Sequence, residues 1–162
     1  MTDITNVGVV GAGLMGHGIA QVSAEAGYDV VLLDADAAAL ERGLGVVRAQ
    51  VAKAVEKGKR TQEEADAILG RLRGATTVAE LHDRDLVIEA IIENLDAKNA
   101  LWRDLDAAVQ PSCVFATNTS SLPVIDQAAV TGRPEHFIGL HFFNPVQVMR
   151  LVCSPPCGPG CR

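Results

Sequence analysis

The stretch "NVGVVGAGLMGHGIA", Asn6 to Ala20, constrains the fold of this chain more than any other. A short β-branched run stops at Gly11. From Leu14 the pattern becomes helical, with Ile19, Val22, Ser23 and Ala26 at spacings of three and four. Between them lies G-x-G-x-x-G, formed by Gly11, Gly13 and Gly16. Gly11 allows the tight turn, Gly13 lets a pyrophosphate approach the backbone, and Gly16 lets helix and strand pack closely. The N–H groups at the helix start then face the phosphates. A second buried strand, "VVLL", closes at Asp34, about 20 residues on, where a ribose-binding acid is expected. Strand, turn, helix and acid together imply a dinucleotide site built on Gly11, Ala12, Gly13, Leu14, Met15, Gly16 and Asp34. The Asp34 carboxylate accepts from ribose hydroxyls and repels a 2′-phosphate. Asp36 adds a second negative charge and no arginine follows directly, so the expected cofactor is NAD rather than NADP. His17, in the glycine turn, reads as exposed and without a role.

Strands and helices go on alternating. Leu40, Leu44, Val47, Val51 and Val55 form one stripe of a helix over 37–57, ended by Gly58. "TQEE" offers a capping box, Thr61 with Glu64, for a helix to about Leu72. "LVIEAI" reads as a strand, 95–109 as a helix with Leu101, Leu105 and Ala108 inward, and "CVFATN" and "HFIGLHFFN" as two further strands. Strands that are apolar throughout and separated by helices indicate a mostly parallel sheet with helices on both faces, an α/β Rossmann-type fold. The expected domain covers 1–152, with an irregular Cys/Pro/Gly tail over 153–162.

Among 162 residues, 48% are hydrophobic and 21% charged, the balance of one globular domain. A formal charge of −6 argues against nucleic-acid or anionic-membrane partners. No apolar run approaches a membrane span and "MTDITN" is no signal peptide, so the expected location is cytoplasmic. "KGKR", Lys57 to Arg60, reads as a solvated helix end. Cys113 reads as a small buried hydrophobe. Cys153, Cys157 and Cys161 lack a nearby histidine or fourth thiol to complete a tetrahedral set, so no metal site is expected.

Ligands of open parallel sheets bind beyond the carboxyl ends of the strands. Three later strands end in polar residues, which gathers Glu93, Asn118, Ser120 and Ser121 near the reactive end of the cofactor. Removing hydride from an alcohol needs a base for the hydroxyl proton, usually a neutral histidine. Of the four histidines, only His141 lies inside an apolar strand near its end.

"GAGLMGHGIA", "VIEAIIENLDAKNALW", "ATNTSSL" and "RPEHFIGLHFFNPV" together resemble the NAD-binding domain of 3-hydroxyacyl-CoA dehydrogenases, bacterial 3-hydroxybutyryl-CoA dehydrogenases in particular, from about Asn6 to Val152. The resemblance implies that His141 is the catalytic base and that Ser120 hydrogen-bonds the substrate oxygen beside the nicotinamide. It matches Glu93, Lys98 and Asn144 to cofactor-contacting positions, and Lys57 to one that contacts CoA. The implied reaction is oxidation of (3S)-3-hydroxyacyl-CoA to 3-oxoacyl-CoA in fatty-acid metabolism, with an acyl-CoA partner. A related sugar-acid dehydrogenase is an alternative, since the cofactor motifs do not select CoA.

The family pattern then continues "LVE", with a glutamate that pairs with the catalytic histidine. Here it reads "LVC", and Cys153 takes that place. The family also carries a second, all-helical domain through which it forms homodimers, and no counterpart is expected here. The abrupt loss of pattern in "CSPPCGPGCR" suggests a shifted reading frame. These departures predict a truncated chain of weak or no activity, or a non-catalytic NAD-binding remnant.

Overall fold

A computed structural model describes residues 3–149 and 151–154. Six strands, β1 (Asn6–Val10), β2 (Asp29–Leu33), β3 (Leu72–Ala75), β4 (Leu86–Glu89), β5 (Val114–Thr117) and β6 (Phe137–Gly139), pair in parallel in the order β3-β2-β1-β4-β5-β6. The helices are α1 (Leu14–Glu25), α2 (Ala37–Glu56), α3 (Gln62–Gly70), α4 (Leu95–Ala108) and the short α5 (Val124–Ala128). A two-residue strand, β7 (His141–Phe142), pairs antiparallel with β8 (Val152–Cys153). The chain reverses its order of strand addition between β1 and β4, so the crevice of the sheet opens beside the glycine turn.

Alternate strand residues divide between two cores, because successive side chains point to opposite faces. Val7, Val9, Val30 and Leu32 pack with Ile19 of α1, Leu44 and Val47 of α2 and Ile68 of α3. Val31, Leu33, Val87 and Phe115 pack on the other face with Trp102 and Leu105 of α4. Helices thus cover both faces, as the unbroken apolar strands require.

Several boundaries differ from the sequence reading. The third helix ends at Gly70, and Leu72–Ala75 is instead edge strand β3, whose Arg73 and Gly74 are exposed. The buried line of α1 runs through Ile19, Ala20 and Ala24, while Ala26 is exposed past the helix end. "HFIGLHFFN" is not one strand. After Gly139 the Leu140 N–H still bonds the Thr117 carbonyl, and the chain then leaves the sheet to form β7. Cys153, expected in the irregular tail, is the second residue of β8. Cys157 and Cys161 lie outside the described residues.

Candidate functional site

The glycine turn shows why each of its glycines is needed. Gly11 has φ +99°, and a Cβ there would sit 2.6 Å from the Ala90 carbonyl oxygen. A Cβ on Gly16 would lie 1.6 Å from the Gly11 carbonyl oxygen, so that helix α1 approaches β1 only with glycine at this contact. Gly13 differs. Its Cβ would meet nothing within 4 Å, so open space lies over the backbone at the start of α1. Gly13 caps that helix without a side-chain hydrogen bond, leaving first-turn N–H groups for an external acceptor. The Nδ1 of His17 lies 2.7 Å from the Gly13 carbonyl, so His17 is half-buried against the turn and not simply exposed.

Asp34 follows β2 directly. Its Oδ2 accepts the Ala12 N–H at 2.9 Å and its Oδ1 accepts the Asp36 N–H at 3.0 Å. Each oxygen keeps a lone pair, so a carboxylate fixed by backbone can still accept ribose hydroxyls. Asp36 turns away, accepting from the Ala38 N–H as the N-cap of α2.

Three adjoining hollows run along this edge of the sheet. One of about 340 Å³ lies between Asp34, Thr76, Val78 and Leu101. The next, about 440 Å³, is walled by Gly11, Gly13, Leu14, Met15 and Asp34. The last, about 330 Å³, is lined by Met15, Glu93, Lys98, Asn118, Ser120, His141 and Asn144. Gly11, Asp34 and Ile91 are shared by the first two, and Met15, Ala90 and Ile91 by the last two. Such a groove fits an adenosine, a pyrophosphate and a second nucleoside in line. An open Gly13, uncapped N–H groups and an anchored Asp34 are the features NAD requires, and the residues present fit it.

The far hollow is shaped by a polar cluster. Glu89, at the end of β4 and fully buried, accepts from Lys98 Nζ at 2.6 Å, from the Thr117 hydroxyl at 2.7 Å and from the Ile91 N–H at 2.8 Å. Lys98 also lies 3.1 Å from Glu93. Glu93 in turn accepts from the Thr119 hydroxyl and from the Ser120 N–H at 3.1 Å, which clamps the turn after β5. Burial pushes the Glu93 carboxyl up, but the Thr119 hydroxyl and the Lys98 ammonium outweigh it and hold the group below its ordinary value. Asn118 Oδ1 accepts the Phe142 N–H at 2.8 Å, tying β7 to the end of β5.

His141 therefore stands at the first position of β7, past the bend, with its ring 4.6 Å from that of Phe143. Its ladder partner is Cys153, which is exposed. Of the two candidate serines, Ser120 lines the hollow, while the Ser121 hydroxyl turns toward Glu93 at 3.5 Å. Lys57 is not brought to the groove: it is the exposed C-cap residue of α2. The sequence reading missed Glu89, Thr117 and Thr119. Glu89 reads as the end of an apolar strand, and its two polar partners come from elements 9 and 28 residues away. No group of three or more metal-ligating side chains occurs among the described residues, nor is any helix among them long and apolar enough to cross a membrane.

Residues 6–153 match the family model described as 3-hydroxyacyl-CoA dehydrogenase, NAD binding domain. A probable 3-hydroxybutyryl-CoA dehydrogenase of Bacillus subtilis is 46% identical over 150 residues, 93% of this chain and 52% of that protein. One from Deinococcus radiodurans is 48% identical over 145 residues, 90% of this chain and 52% of the relative. The crystal structure of (S)-3-hydroxybutyryl-CoA dehydrogenase from Ralstonia eutropha superposes with a TM-score of 0.91 at 42% identity, covering 94% of this chain and 54% of that one. The chain thus spans about half the length of the curated relatives it matches. With its glycine turn, its anchored Asp34 and its parallel strand order, the chain belongs to the 3-hydroxyacyl-CoA dehydrogenase family, as that family's NAD-binding domain.

Proposed function

We infer that the chain binds NAD along the three hollows and serves hydride transfer between NAD and a (3S)-3-hydroxyacyl-CoA such as 3-hydroxybutyryl-CoA. The observation that carries this reading is the continuity of the groove from Asp34, past Gly13, to His141 and Ser120. In it, Asp34 holds the adenosine ribose, and the N–H groups from Gly11 to Gly16 take the pyrophosphate. Glu93, Lys98, Asn118 and Asn144 surround the second nucleoside. Held there by these residues, NAD would supply the acceptor for the hydride leaving C3 of the substrate. His141 takes the proton of the 3-hydroxyl as the C–O bond becomes a carbonyl. The Ser120 hydroxyl, which has no hydrogen-bond partner among the described residues, donates to the substrate oxygen and holds it toward the ring. Lys57, on the outer end of α2, is a cation for the phosphates of CoA. A cytoplasmic site of action fits this substrate. The NAD-binding unit is taken as the 1–152 of the sequence reading extended by Cys153, which pairs with His141, and homodimer contacts are assigned to a helical domain of the family.

A second reading, an NAD-binding protein without turnover, is favoured by one observation: the residue paired with His141 across the β7–β8 ladder is Cys153, not a carboxylate. In the Ser-His-Asp template, neutralising the acid that orients the histidine costs about 10⁴ in rate. The test is acetoacetyl-CoA-dependent NADH oxidation, measured beside NADH binding. Binding with turnover near that of a full-length relative supports the first reading. Binding with turnover about 10³–10⁴ lower supports the second. A folded chain that binds no NADH contradicts both.

A further inference from the structure

Three ionisable side chains form the floor of the hollow that holds His141 and Ser120. Lys98, whose side chain is 1% exposed, lies between Glu89 Oε1 at 2.6 Å and Glu93 Oε2 at 3.1 Å. One ammonium faces two carboxylates, so the cluster carries one negative charge in excess. Glu89 is consumed internally by Lys98, Thr117 and the Ile91 N–H, and is sealed from solvent. Glu93 is the open member: its side chain is 39% exposed and it lines the hollow. The excess charge is therefore presented to whatever ring occupies the hollow. The start of α4 does not cancel it, because Asn94 caps that helix and Asp96 sits in its first turn.

We propose that this excess carboxylate charge makes the site discriminate between the oxidation states of its cofactor, with Glu93 the specificity-determining residue that favours the cationic ring of NAD⁺ over the neutral ring of NADH. The inference rests on the reading of this hollow as the nicotinamide seat. Adenosine and pyrophosphate are the same in both forms, so the glycine turn and Asp34 grip both equally. The ring charge is the one electrostatic difference, and it lies at the end of the groove where Glu93 stands. Holding the oxidised form more tightly makes bound NADH the better hydride donor, so the site is poised toward reduction of a carbonyl.

The test is calorimetric titration of the full chain with NAD⁺ and NADH in parallel. Glu93→Gln keeps an acceptor oxygen for Thr119 and Ser120 while removing the charge. The expected result is a rise of about three- to tenfold in Kd(NAD⁺)/Kd(NADH), scaled for a half-exposed charge near a unit charge at high effective dielectric. The Kd for NADH itself should change by less than about twofold, since its ring is neutral. Glu89→Gln removes a carboxylate charge from below while leaving the bonds from Glu93 to Thr119 and Ser120 in place, and the ratio should move the same way. Added salt should shift the wild-type ratio in that direction too, which tests the inference even where a variant does not fold. An unchanged ratio in the folded variants, or equal loss of both nucleotides, overturns it. If the folded wild type binds neither nucleotide, the failure lies in the NAD reading itself, and the inference falls with it.

Discussion

Two glycines three positions apart in the sequence, Gly13 and Gly16, separate binding from folding. Gly16 has no room for a methyl group, because the Gly11 carbonyl oxygen stands 1.6 Å from where its Cβ would be. Gly16→Ala must displace the whole of α1 from β1, an overpacking cost of about 3 kcal/mol. A fall in midpoint on thermal denaturation reads it directly. Gly13→Ala adds its methyl group to open space, at a φ of −68° that alanine adopts readily. Its stability should stay within about 0.5 kcal/mol of wild type. Its NADH affinity should fall, because the methyl group occupies the approach of the pyrophosphate. Equal effects on stability and binding in the two variants would show that the turn does not divide its labour this way. Cys113 is the residue-scale case most plainly readable from sequence: it is fully buried, and burial pushes its thiol up to about 12.

The elements differ in how much of themselves they print in the sequence. The Thr61–Glu64 capping box was legible because both its hydrogen bonds are local, Glu64 N–H to Thr61 at 3.2 Å and Thr61 N–H to Glu64 at 2.9 Å. Strand β3 was not, since an edge strand with two exposed residues in four buries too little to show a period. Nor was the turn at Leu140, after which the Phe142 N–H is held by Asn118 Oδ1 from just beyond β5. In α4 the pattern pointed to Leu101 and Leu105, yet the anchor is Trp102. It is fully buried, its ring centroids lie 5.1 Å and 4.7 Å from Phe115 and Phe137, and its Nε1 donates to Gln127 at 3.0 Å. Trp102→Ala is expected to cost about 3–5 kcal/mol in chemical denaturation, and a loss below 1 kcal/mol would show that α4 is held elsewhere. The clamp between Glu93 and the Thr119–Ser121 turn makes a pH prediction. The folded Glu93 carboxyl lies below its ordinary 4.5, so its contribution is present above that value and is lost as pH falls through the lower folded one. The stability gap between wild type and Glu93→Gln should be flat through neutral pH and close in acid. A gap that widened in acid would reverse the sign of the argument.

For the molecule as a whole, the strand order does what no single motif does. Reversal between β1 and β4 opens one crevice, and the chain sends to it Gly13 after β1, Asp34 after β2, Glu93 after β4, Ser120 after β5 and His141 after β6. Asp34, Glu93 and Ser120 could be singled out from the polar ends of apolar strands, Gly13 from the glycine motif and His141 from its place in an apolar run. What the sequence could not show was the buried lattice of Glu89, Lys98 and Thr117 beneath them, which exists only once three separate elements converge. The same convergence sets Cys153 opposite His141, across a ladder of two residue pairs. Groove, strand order and anchored acid all serve one claim, that the open backbone at the head of α1 receives the diphosphate of NAD. Titration of the folded chain with NADH in a calorimeter tests it most directly. Saturable one-to-one binding, weakened by Gly13→Ala without loss of fold, is the predicted result; a folded chain that releases no heat of binding, or a Gly13→Ala variant that binds as wild type does, would contradict it.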